Sequence, residues 1–114
     1  MTTVVSKENA EHYHWGADCD GWRLVDRAEL SVIHERMPCG SAETRHFHQK
    51  ARQFFFVLSA ELSIEVAGTV CVVAAGQGLE IAPGAPHRVV NAGADVAEFL
   101  VVSQPTTRGD RTES

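Results

Sequence analysis

His46 and His48 are separated by one residue in the stretch Gly40-Ser-Ala-Glu-Thr-Arg-His46-Phe-His48-Gln-Lys-Ala-Arg-Gln53. On a β-strand alternate side chains face the same way, so the two imidazoles enter one space. Gln53 follows beyond a short break, and a third imidazole arrives in Ala82-Pro-Gly-Ala-Pro-His87-Arg-Val-Val-Asn91. Three neutral imidazoles and one amide oxygen can close around one divalent transition metal ion. Four N/O ligands leave one or two positions open on an ion that accepts five or six, which is the pattern of a working site. The ligand types do not choose among Mn, Fe, Ni and Zn. Gln53 either gives its oxygen to the ion or hydrogen-bonds a water that the ion holds. A glutamate there would cut the net charge of the site to +1, whereas the neutral amide leaves the full +2. That charge favours an anionic substrate oxygen, and Lewis-acid chemistry over oxygen activation.

Other groups are candidates for supporting roles. His34 lies in Val32-Ile-His34-Glu35-Arg36 and becomes an acid or base if its side of the strand faces the pocket. Phe55 and Val57, on the Gln53 side of their strand, together with Phe99 or Leu100, suggest an apolar substrate wall. Arg88 follows a candidate ligand and should face away from it, and Asn91 fixes a turn. His12 and His14 share a face in a polar segment and read as surface. Cys19, Cys39 and Cys71 are too few and too scattered for a disulfide framework and read as free thiols, with Cys39, in a turn, the one to check for reactivity.

These residues must be positioned by strands, because helical periodicity is nearly absent. Short β-rich runs alternate with Gly, Pro and Asp punctuation at intervals of roughly 8–12 residues. Strands are expected near Trp22–Val25, Leu30–Met37, Thr44–His48, Phe54–Ser59, Glu61–Val66, Thr69–Val73, Gly78–Ile81, His87–Asn91 and Ala97–Val102. Ala67-Gly68 joins two alternating runs as a tight hairpin, with Gly68 at positive φ. In Gln53-Phe54-Phe55-Phe56-Val57-Leu58 both faces are apolar, so the Phe54, Phe56, Leu58 face needs a second sheet or a partner subunit against it. A homodimer burying that face is the expected assembly. Residues 1–11 are expected to be a flexible segment, 12–104 a single barrel domain, and 105–114 a flexible tail.

The 114 residues suit one domain with one hydrophobic core. Net charge is −5 and no Lys/Arg run interrupts the chain, so a nucleic-acid partner is not expected. No apolar run approaches the roughly 20 residues of a membrane span. The N-terminus lacks the pattern of a signal peptide, so a cytoplasmic location is expected.

Taken in order, these motifs resemble those of the cupin superfamily. Gly40, His46 and His48 match its first motif, with Gln53 where the motif has glutamate and Ala60 where it has glycine. Gly76, Gly84, His87 and Asn91 match the second, with Ala82 at the motif proline and Pro83 one place on. The resemblance spans Gly40 to Asn91 and implies an all-β, double-stranded β-helix or jelly-roll barrel. It also implies a bound metal at His46, His48, Gln53 and His87, and a small-molecule ligand. The function it implies is isomerase or lyase chemistry on a small oxygen-rich metabolite. Its alternatives are an iron-dependent dioxygenase and a non-catalytic ligand-binding or sensory module. The single-domain cupins that linearise unsaturated uronates resemble this chain in using three His and a Gln. They also place an acid near the pocket from the last strand, which Phe99-Leu100-Val101-Val102 lacks.

Overall fold

The computed structural model describes residues 2–114. These form eleven strands: β1 (Glu11–Trp15), β2 (Cys19–Asp26), β3 (Ser31–Met37), β4 (His46–Phe47), β5 (Arg52–Ser59), β6 (Glu61–Val66), β7 (Thr69–Ala74), β8 (Gly78–Ile81), β9 (His87–Val90), β10 (Ala97–Gln104) and β11 (Thr112–Glu113). One sheet has six strands in the order β1-β2-β3-β10-β5-β8, and the other has five in the order β11-β4-β9-β6-β7. The pairings are antiparallel, which makes the fold an all-β double-stranded β-helix. Among the described residues no helix is long and apolar enough to cross a membrane.

Alternation decides which side chains meet between the sheets. On β10, Ala97, Phe99, Val101 and Ser103 are buried; on β5, Gln53, Phe55 and Val57; on β6, Leu62 and Ile64. Phe99, Met37, Leu62 and Ile64 fill the centre, and burying each stabilises the fold by about 2 kcal/mol. At the end of the barrel where this packing stops, the same inward faces carry the polar residues of the site.

The tight turn after β6 has Ala67 at φ 49° and Gly68 at φ 90°, the backbone twist that a two-residue hairpin requires. Ala60, standing at the motif glycine, adopts φ 63° between β5 and β6.

The chain ends differ from the sequence-based reading. β1 was not expected as a strand, because its outward residues Glu11, His12 and His14 are polar and exposed. Its inward residues, Tyr13 and Trp15, pack against β2 and the pocket. Residues 105–114, expected as a flexible tail, run along the pocket mouth and end in β11 beside β4. Among the described residues no second sheet covers the outer face of β5: Phe54 is 42% exposed and Leu58 43%. Cys19 is buried, Cys39 is exposed and all three cysteines are free thiols.

Candidate metal centre

The second sheet brings the three imidazoles together. β4 and β9 are neighbours, and His46 stands directly opposite His87 in their register. His48 follows on the same side, just beyond the end of β4. The ring centroids are 4.5 Å apart for His46 and His87, 4.9 Å for His46 and His48, and 5.5 Å for His48 and His87. One ligand nitrogen from each lies within 4.8 Å of the others, and all three residues are buried.

Main-chain carbonyls decide which nitrogens are free. Nδ1 of His46 is 2.7 Å from the Thr44 carbonyl, Nδ1 of His48 is 2.6 Å from that of Asp110, and Nδ1 of His87 is 3.0 Å from that of Ala85. A neutral imidazole that donates from Nδ1 keeps a lone pair on Nε2, which is the tautomer a metal ligand needs. Nε2 of His87 is buried with no hydrogen-bond partner among the described residues. Burial pushes the His46 imidazole down to about 4 and lowers those of His48 and His87, with the positive charge of Arg111 acting in the same direction. All three are therefore neutral at pH 7.

Gln53 comes from the facing sheet. Its Nε2 donates to Ser103 Oγ at 3.1 Å, which orients the amide and leaves Oε1 buried without a partner. A buried, unpartnered acceptor costs on the order of 1–3 kcal/mol. Two such atoms, a nitrogen of the imidazole cluster and the amide oxygen of a pocket-lining residue, fit a cation ligated by His46, His48, His87 and Gln53.

The pocket above them has a volume of about 300 Å³, and its lining includes Ile33, Glu35, His46, His48, Gln53, Phe55, Val101 and Ser103. Its other walls come from Tyr13, Trp15 and Arg23 of the first hairpin, from Glu43, and from Thr107, Arg108 and Arg111 near the chain end. Glu35 Oε2 accepts from the Tyr13 hydroxyl at 3.3 Å. Burial, then the neighbouring Glu43 carboxylate, pushes Glu35 up to about 8, and burial pushes Glu43 up to about 7. The pocket thus pairs a proton-bearing carboxyl with a rim of arginines.

Several expected site residues fall elsewhere. His34 is not in the pocket. It lies on the outer side of β3, with Nε2 2.7 Å from Glu98 Oε1 and its ring edge-on to Trp22. The inward parity of β3 belongs to Ser31, Ile33, Glu35 and Met37, so Glu35 takes the place envisaged for His34. Phe55 does line the pocket. Val57 and Phe99 are fully buried in the hydrophobic core and do not. Arg88 is exposed, facing away from the site. Asn91 donates to the carbonyls of Met37 and Asp95 and accepts from Gly93 N–H, holding the turn after β9. The acidic groups of the pocket come from β3 and the segment before β4, not from β10, which offers Val101 and Ser103. Glu35 was legible in the alternation of Ser31, Ile33 and Met37. The contributions of Tyr13, Arg108 and Arg111 had no comparable signal.

A cupin domain model matches residues 33–103. The chain belongs to the cupin family. None of the curated proteins matches this cupin in sequence. Among solved structures, it is similar to an RmlC-like cupin from Shewanella frigidimarina, with 19% identity, a TM-score of 0.84 and 96% of each chain covered. It is also similar to a predicted oxalate decarboxylase from Thermotoga maritima, with 18% identity and a TM-score of 0.83 over 91% of this chain and 100% of that one. The polyketide cyclase RemF from Streptomyces resistomycificus has 18% identity and a TM-score of 0.81 over 93% of this chain and 81% of that one. These likenesses are of fold. The activities those proteins are named for differ, so the barrel alone does not select a reaction.

Proposed function

We propose that this cupin is a metal-dependent enzyme of isomerase or lyase type, acting on a small, anionic, oxygen-rich metabolite. The observation that carries the reading is the unpartnered pair His87 Nε2 and Gln53 Oε1, buried beneath a pocket that also holds Glu35. His46, His48, His87 and Gln53 would hold one divalent transition ion. Such an ion supplies Lewis acidity toward a carbonyl or carboxylate oxygen.

The chain's own groups account for the rest. Arg111 makes no salt bridge among the described residues and contacts the Thr44 carbonyl at 3.5 Å, so its charge is available to a substrate anion at the pocket mouth. In the metal-free chain burial raises Glu35 to about 8, so its carboxyl can hold a proton at neutral pH and pass it to or from a substrate, while the Tyr13 hydroxyl fixes the orientation of that carboxyl. Phe55, Ile33 and Val101 exclude water from one side of the pocket. With a neutral amide at Gln53 the site keeps its full positive charge, which favours substrate anions over oxygen activation.

The test begins with metal analysis of protein purified under controlled supplementation. A thermal-shift screen of keto acids, uronates and phenols, with and without metal, follows. Ligands should raise the melting temperature only in metal-loaded protein, and turnover of a stabilising ligand should be lost in Glu35→Gln while its binding persists. Binding without turnover in wild-type protein would assign a sensory or carrier role instead.

A further inference from the structure

The face of β1 that points away from the pocket carries a second set of ligand atoms. His12 and His14 project from the same side of the strand, and Asp20 lies directly across from His14 on β2. Asp20 Oδ1 is 2.8 Å from His12 Nε2 and 3.0 Å from His14 Nδ1. The three ligand atoms lie within 4.8 Å of one another. Around an ion with bonds of about 2.0–2.2 Å, neighbouring ligands stand roughly 3 Å apart, so little movement separates this cluster from a coordinating one.

The cluster is also held in place. The Trp22 ring packs on His12 at 5.1 Å between centroids. Arg36 Nη1 contacts the other carboxylate oxygen, Asp20 Oδ2, at 3.2 Å, which leaves Oδ1 turned toward the imidazoles. The guanidinium weakens the field of the carboxylate but fixes its orientation. Two imidazoles converge on a single carboxylate oxygen at the open edge of a sheet, His12 through a hydrogen bond and His14 as an ion pair, and an ion would replace those contacts with its own bonds to the same atoms.

We infer that His12, His14 and Asp20 form a second site for a divalent transition ion that prefers mixed nitrogen and oxygen ligands, such as Zn²⁺, Ni²⁺ or Cu²⁺, with water completing its coordination. The site is joined to the pocket through the strand itself. Tyr13, between the two histidines, points the opposite way and reaches Glu35. Its ring lies on the bare backbone of Gly21, where a Cβ would come within 2.3 Å of it. An ion bridging β1 to β2 on the outer face therefore stiffens the hairpin that presents Tyr13 and Trp15 to the pocket.

The experiment compares bound ions per chain in the full-length wild type and in the His12→Asn/His14→Asn double variant, by equilibrium dialysis against Ni²⁺. Both positions are exposed, and circular dichroism checks that the fold is kept. The variant should bind one ion fewer. Equal ion counts in the two proteins overturn the inference. The difference is independent of the pocket: if the pocket held nothing, the counts would be one and zero rather than two and one.

Discussion

The main-chain carbonyl of Asp110 accepts a 2.6 Å hydrogen bond from His48 Nδ1. The carboxylate of the same residue accepts from the backbone N–H groups of Gln49, Lys50 and Ala51 at 2.8, 3.0 and 3.0 Å. Partial burial acts to raise that carboxyl, but the three amides outweigh it and hold it below the ordinary carboxylate range. One residue near the chain end thus fixes the tautomer of one candidate ligand and ties down the loop that separates it from another. Deleting residues 105–114 should weaken metal affinity by roughly 10–100-fold, the usual effect of losing a group that orients a ligand. Asp110→Ala keeps the carbonyl and should have a smaller effect on metal, with a lowered melting temperature. Competition with a chromophoric chelator measures both, and unchanged affinity in the deletion would separate the chain end from the site.

The imidazoles set how metal binding depends on pH. Their values are depressed in the fold, chiefly by burial, so the neutral form is the favoured one. Stability contributed this way is present above the ordinary imidazole value of about 6.5 and is lost as pH falls through the depressed values. Zn²⁺ affinity should therefore be nearly flat above pH of about 6.5 and fall off at lower pH than for free imidazole. A release midpoint at or above about 6.5 would contradict the burial argument.

Glu35 works in the opposite sense. Burial and the Glu43 carboxylate raise it to about 8, so the fold favours its protonated form. That contribution is complete below the ordinary glutamate value of about 4.3 and is lost as pH rises through about 8. Metal-free wild type should lose melting temperature relative to Glu35→Gln as pH rises from about 5 to about 8. Parallel profiles for the two proteins would mean that the carboxyl is solvated and ionised at neutral pH.

The ligands were legible from sequence because their signal is local. His-x-His on a strand fixes the relative direction of two rings, and Pro83-Gly84 with Asn91 punctuates the short strand that carries His87. His34 was the miss among the local signals: either face of its strand was left open, although Ser31, Ile33 and Met37 share the parity opposite to it. What escaped was non-local. Nothing in Thr106-Thr-Arg-Gly-Asp-Arg111 states that this polar segment will lie over the pocket, because its partners, Gln49 to Ala51, are about sixty residues away. β1 escaped for another reason: its solvent face holds ionisable residues, and only Tyr13 and Trp15 betray the alternation.

Ala60 shows where a departure from the family motif has a backbone cost. It occupies φ 63°, a conformation that disfavours a residue with a Cβ by about 1–2 kcal/mol. Ala60→Gly removes that strain but adds chain entropy to the unfolded state and loses a small contact with the core. A net gain of about 0.5–1 kcal/mol is expected, a rise in melting temperature of roughly 2–5 °C for a domain of this size. Thermal denaturation of the two proteins side by side decides it, and a fall in melting temperature would mean that the methyl group packs better than the strain costs.

The outer face of β5 bears on assembly. Phe54 and Phe56 stack with centroids 6.3 Å apart, and the Phe54 ring lies against Gly78, where a Cβ would come within 2.3 Å. β5 sits between β10 and β8 in its sheet, so its backbone is already paired and only its side chains are offered outward. Phe54 and Leu58 are more than two-fifths exposed, an apolar strip that water covers poorly. A two-fold pairing through this strip would set the same side chains against one another from each copy. Wild-type protein at micromolar concentration should therefore elute as a dimer, and Phe54→Glu, which places a like charge on both sides of the contact, should elute as a monomer with its metal content unchanged. A monomeric wild type in light scattering would leave the strip as solvent-exposed surface and remove the dimer.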